Sequence, residues 1–298
     1  MEKIILYYKF VPIADTETVL LWQRALCEKL GLRGRILISG IGINGTLGGD
    51  FKALKMYKRA MNEHSMFKNT HYKWSDGSAD DFPRLSIRVR SETVTLGWEP
   101  EVSERGIVAG GRRLKPEAVH KLVEQQPGVI FFDARNKYES AIGRFKNAVT
   151  PGIDNFRDMP KELDKPEYQK LKDKPIITYC TGGIRCESLS ALMKQKGFKH
   201  VYQLDGGIVK YGEKFGDDGL WEGKCFVFDK RLAVGFSGSA KDIGKCVHCK
   251  SKTSRYVNCH RKECNKLVLV CENCGKNSKE EFCSNKCEEK VYAIANAG

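Results

Sequence analysis

Cysteine is the residue whose spacing carries chemistry in this chain of 298 residues, which holds twelve of them. The sharpest context is P-I-I-T-Y-C-T-G-G-I-R-C-E: an apolar run, then Cys180, a glycine-rich turn, and a helical stretch ending at Gly197. A chain rolling from strand into helix can aim successive backbone N–H groups at the Cys180 sulfur, while the helix N-terminus adds partial positive charge and Arg185 a full one. Gly182 and Gly183 supply the unusual backbone angles, and Thr181 and Ile184 complete the run of loop amides. Such a cradle favours thiolate and makes Cys180 a nucleophile at neutral pH. Cys180 and Arg185 enclose four residues, one fewer than a cysteine phosphatase places around a tetrahedral phosphate, so the smaller ring suits a single sulfur atom and hence a persulfide. Cys186, just inside the helix, has two open readings: a thiol that resolves the persulfide as a disulfide, or a small packing residue. Asp133, Arg135 and Glu139 are read as turn and ion-pair residues that hold the sheet edge, and Cys27 and Cys225 as core.

Eight of the cysteines crowd into residues 246–287: Cys246, Cys249, Cys259, Cys264, Cys271, Cys274, Cys283 and Cys287, as C-x2-C, C-x4-C, C-x2-C and C-x3-C. Four close pairs give the ligands of two tetrahedral zinc sites, and metal binding would supply folding energy to a segment with few large apolar residues of its own. The spacing leaves the pairing of ligands open, and leaves His248 or His260 as substitutes for a cysteine. Closed four-cysteine sites are structural, so no catalysis is assigned to these metals.

The elements that must position these sulfurs fall into three segments. Residues 1–100 predict a β-α-β-β-α-β sandwich of ferredoxin or acylphosphatase type. A strand covers 3–11, Asp15 caps a helix ending near Gly31, strands follow at 35–39 and 43–47, Asp50 caps a second helix through about Met61, and 85–96 forms an extended hairpin. G-I-G-I-N-G, at Gly40 to Gly45, matches a dinucleotide fingerprint in letters. No helix starts within it, so it reads as a tight turn between strands. Residues 101–222 open on a loose linker to Arg113 and then alternate helices at 115–125 and beyond with strands at 129–133, 176–179 and 200–204, which implies a parallel sheet with helices on both faces. Residues 223–298 follow W-E-G-K-C-F-V-F-D-K-R, read as one strand at the start of the cysteine-rich end.

Composition limits the partners. Hydrophobic residues make up 41% and charged residues 30%, as in globular proteins, and no apolar run approaches the ~18 residues of a transmembrane helix. No secretory signal is read at the N-terminus, so the expected location is cytoplasmic, where thiols stay reduced. The net charge of +14, half of it in residues 223–298, favours polyanions. Phe67, Lys68, His71, Tyr72, Lys73 and Trp74 interleave aromatic and basic side chains and could grip RNA, or could be a strand with one buried face.

C-T-G-G-I-R resembles the active-site loop of a rhodanese domain, and D-A-R-N-K-Y-E, G-R-F-K-N-A and V-Y-Q-L-D-G-G-I resemble that domain's other landmarks. Nearly the whole chain is similar to the bacterial rhodanese-containing tRNA uridine hydroxylases: G-R-I-L-I-S-G-I-G-I-N-G-T-L-G-G, Y-C-T-G-G-I-R-C-E and W-E-G-K-C-F-V-F-D-K-R occur in that order before the cysteine-rich end. The acidic residue more usual there before G-I-N-G is absent, Ile41 standing in its place. The resemblance implies oxygen-dependent hydroxylation of wobble uridine in tRNA to 5-hydroxyuridine, with Cys180 matching the essential cysteine, molecular oxygen as co-substrate, and a sulfur or electron donor protein as a further partner. Two other readings remain open at this point, a persulfide sulfurtransferase in a sulfur relay and a noncatalytic zinc-dependent RNA-binding adaptor.

Overall fold

The computed structural model describes residues 1–277 and 281–295. In the first segment, β1 (Glu2–Phe10) leads to Asp15, whose carboxylate accepts the Thr18 amide at 2.9 Å and so caps α1 (Thr16–Lys29). Strand β2 (Arg33–Ser39) turns through Gly40 and Ile41 into β3 (Gly42–Asp50), as the tight-turn reading of the glycines requires. Asp50 caps α2 (Phe51–Glu63), accepting the Lys52 amide at 2.8 Å. With β4 (His71–Asp76) and β5 (Leu85–Val89) the sheet order is β4-β1-β3-β2-β5, antiparallel except where β5 runs parallel to β2.

One expectation is corrected here. The strand that completes the sandwich is β4, from the aromatic and basic cluster, and not a hairpin at 85–96; only Leu85–Val89 is extended there, as an added edge strand. Strand alternation explains the division of labour within the sheet. Ile5 and Tyr7 of β1 and Ile36 and Ile38 of β2 join Leu54, Tyr57 and Phe67 in the core under the helices. Leu6, Tyr8, Arg35 and Leu37 leave by the other face and line a cavity against the second segment.

That segment begins with a small hairpin, β6 (Val102–Ser103) and β7 (Gly106–Ile107), inside what reads in sequence as a linker. It continues through β8 (Arg112–Leu114), α3 (Pro116–Gln125), β9 (Ile130–Asp133), α4 (Lys137–Ser140), β10 (Gly143–Phe145), α5 (Met159–Glu162), α6 (Pro166–Gln169), β11 (Pro175–Tyr179), α7 (Ile184–Gln195), β12 (His200–Leu204) and α8 (Gly207–Phe215). The four main strands are all parallel, in the order β8-β12-β11-β9. Helices cover both faces, as expected. Phe132 and Ile176 pack with Leu189 and Met193 of α7 on one side, while Phe131, Ile177 and Tyr179 pack with Val119 of α3 and Ile208 and Tyr211 of α8 on the other.

After α8 come two short strands rather than one. β13 (Trp221–Gly223) pairs with β10, and β14 (Cys225–Phe226) pairs with β15 (Ala233–Val234). Gly223 lies at φ +86°, a left-handed conformation that turns the chain between partners. The cysteine-rich end holds β16 (Tyr256–Asn258), β17 (Leu267–Leu269), α9 (Glu272–Asn277) and α10 (Asn285–Ala295) around small apolar clusters. Among the described residues no helix is long and apolar enough to cross a membrane.

Candidate active site

Cys180 follows directly on β11, and α7 begins at Ile184. Gly183, at φ +98°, bends the loop so that its amide donates to the Cys180 sulfur at 3.1 Å, and the Arg185 and Cys186 amides also point at it. Behind the loop, the Ile208 and Val209 amides at the start of α8 donate to the Cys180 and Thr181 carbonyls at 2.9 and 3.1 Å, so two helix N-termini converge on one turn. Burial pushes the Cys180 thiol up, but the Cys186 thiol, the Arg185 charge and the loop amides outweigh it and lower the pKa to about 6. Cys186 moves the opposite way, raised by burial and by donating its own proton toward Cys180. Cys180 is therefore the thiolate of the pair, with Cys186 fully buried beside it; this proximity is compatible with both sequence readings of Cys186.

Arg185 acts on the sulfur and is itself held in place. Its guanidinium makes a two-pronged ion pair with Glu139, both contacts at 2.7 Å, and its charge helps lower the Cys180 pKa. Glu139 is fully buried, and Arg135 beside it binds Asp133 through Nε and Nη2 at 2.9 and 2.7 Å. Asp133, Arg135 and Glu139 are thus ion-pair residues at the edge strand β9, as read from sequence. Glu139 has the added task of orienting Arg185.

Cys180 is 1% exposed, yet it helps form the floor of a cavity of about 660 Å³ whose roof is the outer face of the first segment's sheet. That volume suits a nucleobase with its sugar. Leu6, Tyr8, Asn44 and Thr46 face Thr181, Gly182, Ile184 and Arg185 across it, and Phe156 and Phe228 supply aromatic walls. A Cβ on Gly182 would stand 2.5 Å from the Leu6 side chain, so the two segments meet closely only because no side chain is there. Tyr8 Oη donates to Glu187 Oε1 at 3.0 Å, and Arg113 pairs with the same oxygen at 2.6 Å. Arg35, exposed at the cavity's edge, lies near Arg88 and Arg90; among the described residues Arg35 and Arg88 have no carboxylate partner. Tyr8, Arg35, Arg113 and Glu187 escape sequence reading because they act across segments far apart in the chain; the alternation of β1 and β2 was the only signal that could have shown Tyr8 and Arg35 facing outward.

The interleaved cluster resolves as β4 with its neighbours. Phe67, Tyr72 and Lys73 are buried, and His71 is exposed. Cys27 and Cys225 are core residues whose thiols burial pushes up to about 12.

The eight remaining cysteines form two clusters, Cys246, Cys249, Cys271 and Cys274 in one and Cys259, Cys264, Cys283 and Cys287 in the other, with all four sulfurs of each within 4.8 Å of one another. First and third pairs share one site, second and fourth the other, an interleaving that spacing alone left undecided. Sulfur separations of 3.5 Å for Cys249–Cys271 and 3.7 Å for Cys264–Cys283 are too long for disulfides at ~2.05 Å. They approach the ~3.8 Å edge of a tetrahedron with ~2.3 Å zinc–sulfur bonds. Both clusters could hold a metal ion and are compatible with zinc. Neither includes a histidine; His248 Nε2 instead meets the Phe282 carbonyl at 2.9 Å.

Three family descriptions match the chain: a UPF0176 acylphosphatase-like domain over residues 2–93, a rhodanese-like domain over 115–214 and a rhodanese C-terminal region over 222–288. Among curated relatives, a protein of Corynebacterium diphtheriae is 51% identical over 99% of this chain and 98% of its own length. One of Corynebacterium urealyticum is 55% identical over 92% and 93%, and one of Pseudarthrobacter chlorophenolicus 54% identical over 96% and 99%. Each carries the name tRNA uridine(34) hydroxylase.

Proposed function

The chain belongs to the tRNA uridine(34) hydroxylase family, and from that premise we propose that it hydroxylates uridine 34 of tRNA with Cys180 as its reacting group. The observation that carries this reading is a thiolate cradled by amides at the floor of a cavity of about 660 Å³. Uracil extruded from a single-stranded loop can enter such a space, stacked on Phe156 or Phe228, with its phosphates left to the arginines around Arg35. Addition of the Cys180 sulfur to C6 of the ring places electron density on C5, the carbon to be oxidised. The Gly183 amide and its neighbours hold the sulfur anionic until it adds and receive it when it leaves. Arg185, fixed by Glu139, orients the loop, and Thr181, Gly182, Ile184 and Cys186 shape it.

Molecular oxygen is the co-substrate in this scheme. One atom enters at C5 and the other leaves as water, taking two electrons and two protons from an electron donor, for which a partner protein is the proposed source. Two zinc ions, one in each cysteine cluster, would hold the cysteine-rich end in shape, and residues 1–100, 101–222 and 223–298 are the working units of this reading. With tRNA as substrate, the proposed location is the cytoplasm. The adjacent Cys186 thiol and the four-residue loop favour a second reading, persulfide transfer.

Nucleoside mass spectrometry of tRNA from a deletion strain separates the two. Hydroxylation predicts that the wild-type gene restores 5-hydroxyuridine-derived nucleosides and that Cys180→Ser does not. Persulfide transfer predicts unchanged tRNA with loss of thiosulfate turnover.

A further inference from the structure

A second cavity, of about 650 Å³, lies on the other side of Tyr8, whose ring lines both. Seven cationic side chains face it against three carboxylates. Surface lysines and arginines in excess are common, but one of these is not at the surface. Lys73, on β4, is 5% exposed, and among the described residues its Nζ has no ion pair and no hydrogen bond, only the Tyr8 ring 4.5 Å from its centroid. A buried ammonium without a counter-ion is costly. Burial lowers its pKa to about 8, while Cys180, Asp205 and Glu187 pull the other way. Lys68, Arg105 and Lys115 line the same cavity and likewise have no ion pair and no side-chain hydrogen bond among the described residues. The amides at the start of α8 do not account for this site, since those of Ile208 and Val209 already serve the Cys180 loop.

We propose that this second cavity is a phosphate-binding site, with Lys73 at its base and Lys68, Arg105 and Lys115 around it, that holds a backbone phosphate next to the nucleotide presented to Cys180. The inference rests on the functional reading above and adds to it a place for the neighbouring phosphodiester. Several converging cations in a space much larger than one phosphate suit a chain of phosphates better than a single small anion. The shared Tyr8 wall lets one strand pass from one cavity to the other, base on one side and backbone on the other. Free phosphate or pyrophosphate offers the same chemistry, and the test distinguishes the sources.

The test uses full-length protein, a labelled anticodon stem-loop RNA with uridine at position 34, and fluorescence anisotropy across a salt series. Lys73→Met should weaken binding roughly tenfold and reduce the slope of log K against log salt by about 1. Lys68→Ala with Arg105→Ala, both exposed and safe for folding, should do the same if Lys73→Met fails to fold. Calorimetry with pyrophosphate as probe, on wild type and Lys73→Met, supplies the second arm. Pyrophosphate binding that Lys73→Met abolishes, with RNA affinity unchanged, keeps the anion site but assigns it to a free anion. RNA binding by wild type with unchanged affinity and slope in the variants, and no pyrophosphate binding, overturns the site and leaves the functional reading intact. A wild type that does not bind the RNA at all overturns the reading itself.

Discussion

The same element does opposite work at two ends of this molecule. At Cys180 the protein itself stabilises one sulfur anion, with amides, helix termini and a neighbouring thiol, at the bottom of a cavity shared by two segments. In the cysteine-rich end, four sulfurs lie within 4.8 Å of one another in each cluster, and four thiolates that close need a cation among them. Whether a cysteine is a nucleophile or a ligand is thus decided by how many backbone donors face it and how many other sulfurs do.

Substitutions should separate the two ends. The largest effect is expected of Cys180→Ser, which should remove 5-hydroxyuridine-derived nucleosides from tRNA entirely, with circular dichroism and metal content unchanged. Cys271→Ser or a strong chelator should do the reverse: the cysteine-rich end loses a metal site contributing on the order of 10 kcal/mol, read as loss of hydrogen-exchange protection in residues 246–277, while Cys180 keeps its reactivity toward alkylating reagents. Loss of that reactivity on metal removal would show that the two ends are not independent. Glu139→Gln leaves Arg185 without its partner in a largely buried place and should lower stability by about 3 kcal/mol in denaturant titration, while the pKa of Cys180 should not rise, because Arg185 keeps its charge and the amides remain. The smallest change, Cys186→Ala, removes one donor from the Cys180 sulfur. The pKa should rise from about 6 toward the ordinary thiol value, so alkylation at pH 6.5 slows while alkylation at pH 9 does not.

Much of this contrast is legible in the sequence because it is local. The Cys180 loop, its glycines and the helix after it lie within a dozen residues, and the capping roles of Asp15 and Asp50 need only the next turn. The rest is decided by distant segments. Arg185 reads as a free charge until Glu139, 46 residues away, is seen to hold it. Leu85–Leu96 alternates well enough for a hairpin, but β2 offers a partner only to its first half. Zinc-ligand pairing is invisible in spacing because interleaved and consecutive pairings have the same spacings. Lys73 looks like one more basic residue on a strand, and only the fold reveals that its end is buried beside Tyr8.

The most direct test of the central claim is the pH dependence of Cys180 alkylation by iodoacetamide in the full-length protein, followed by peptide mass spectrometry. The thiolate fraction grows as pH rises through the pKa, so the rate should be half-maximal near pH 6 and level from about pH 7 to pH 8. A rate still climbing through pH 8 and beyond, as for an ordinary thiol, or a Cys180 that reacts only after denaturation, would contradict it.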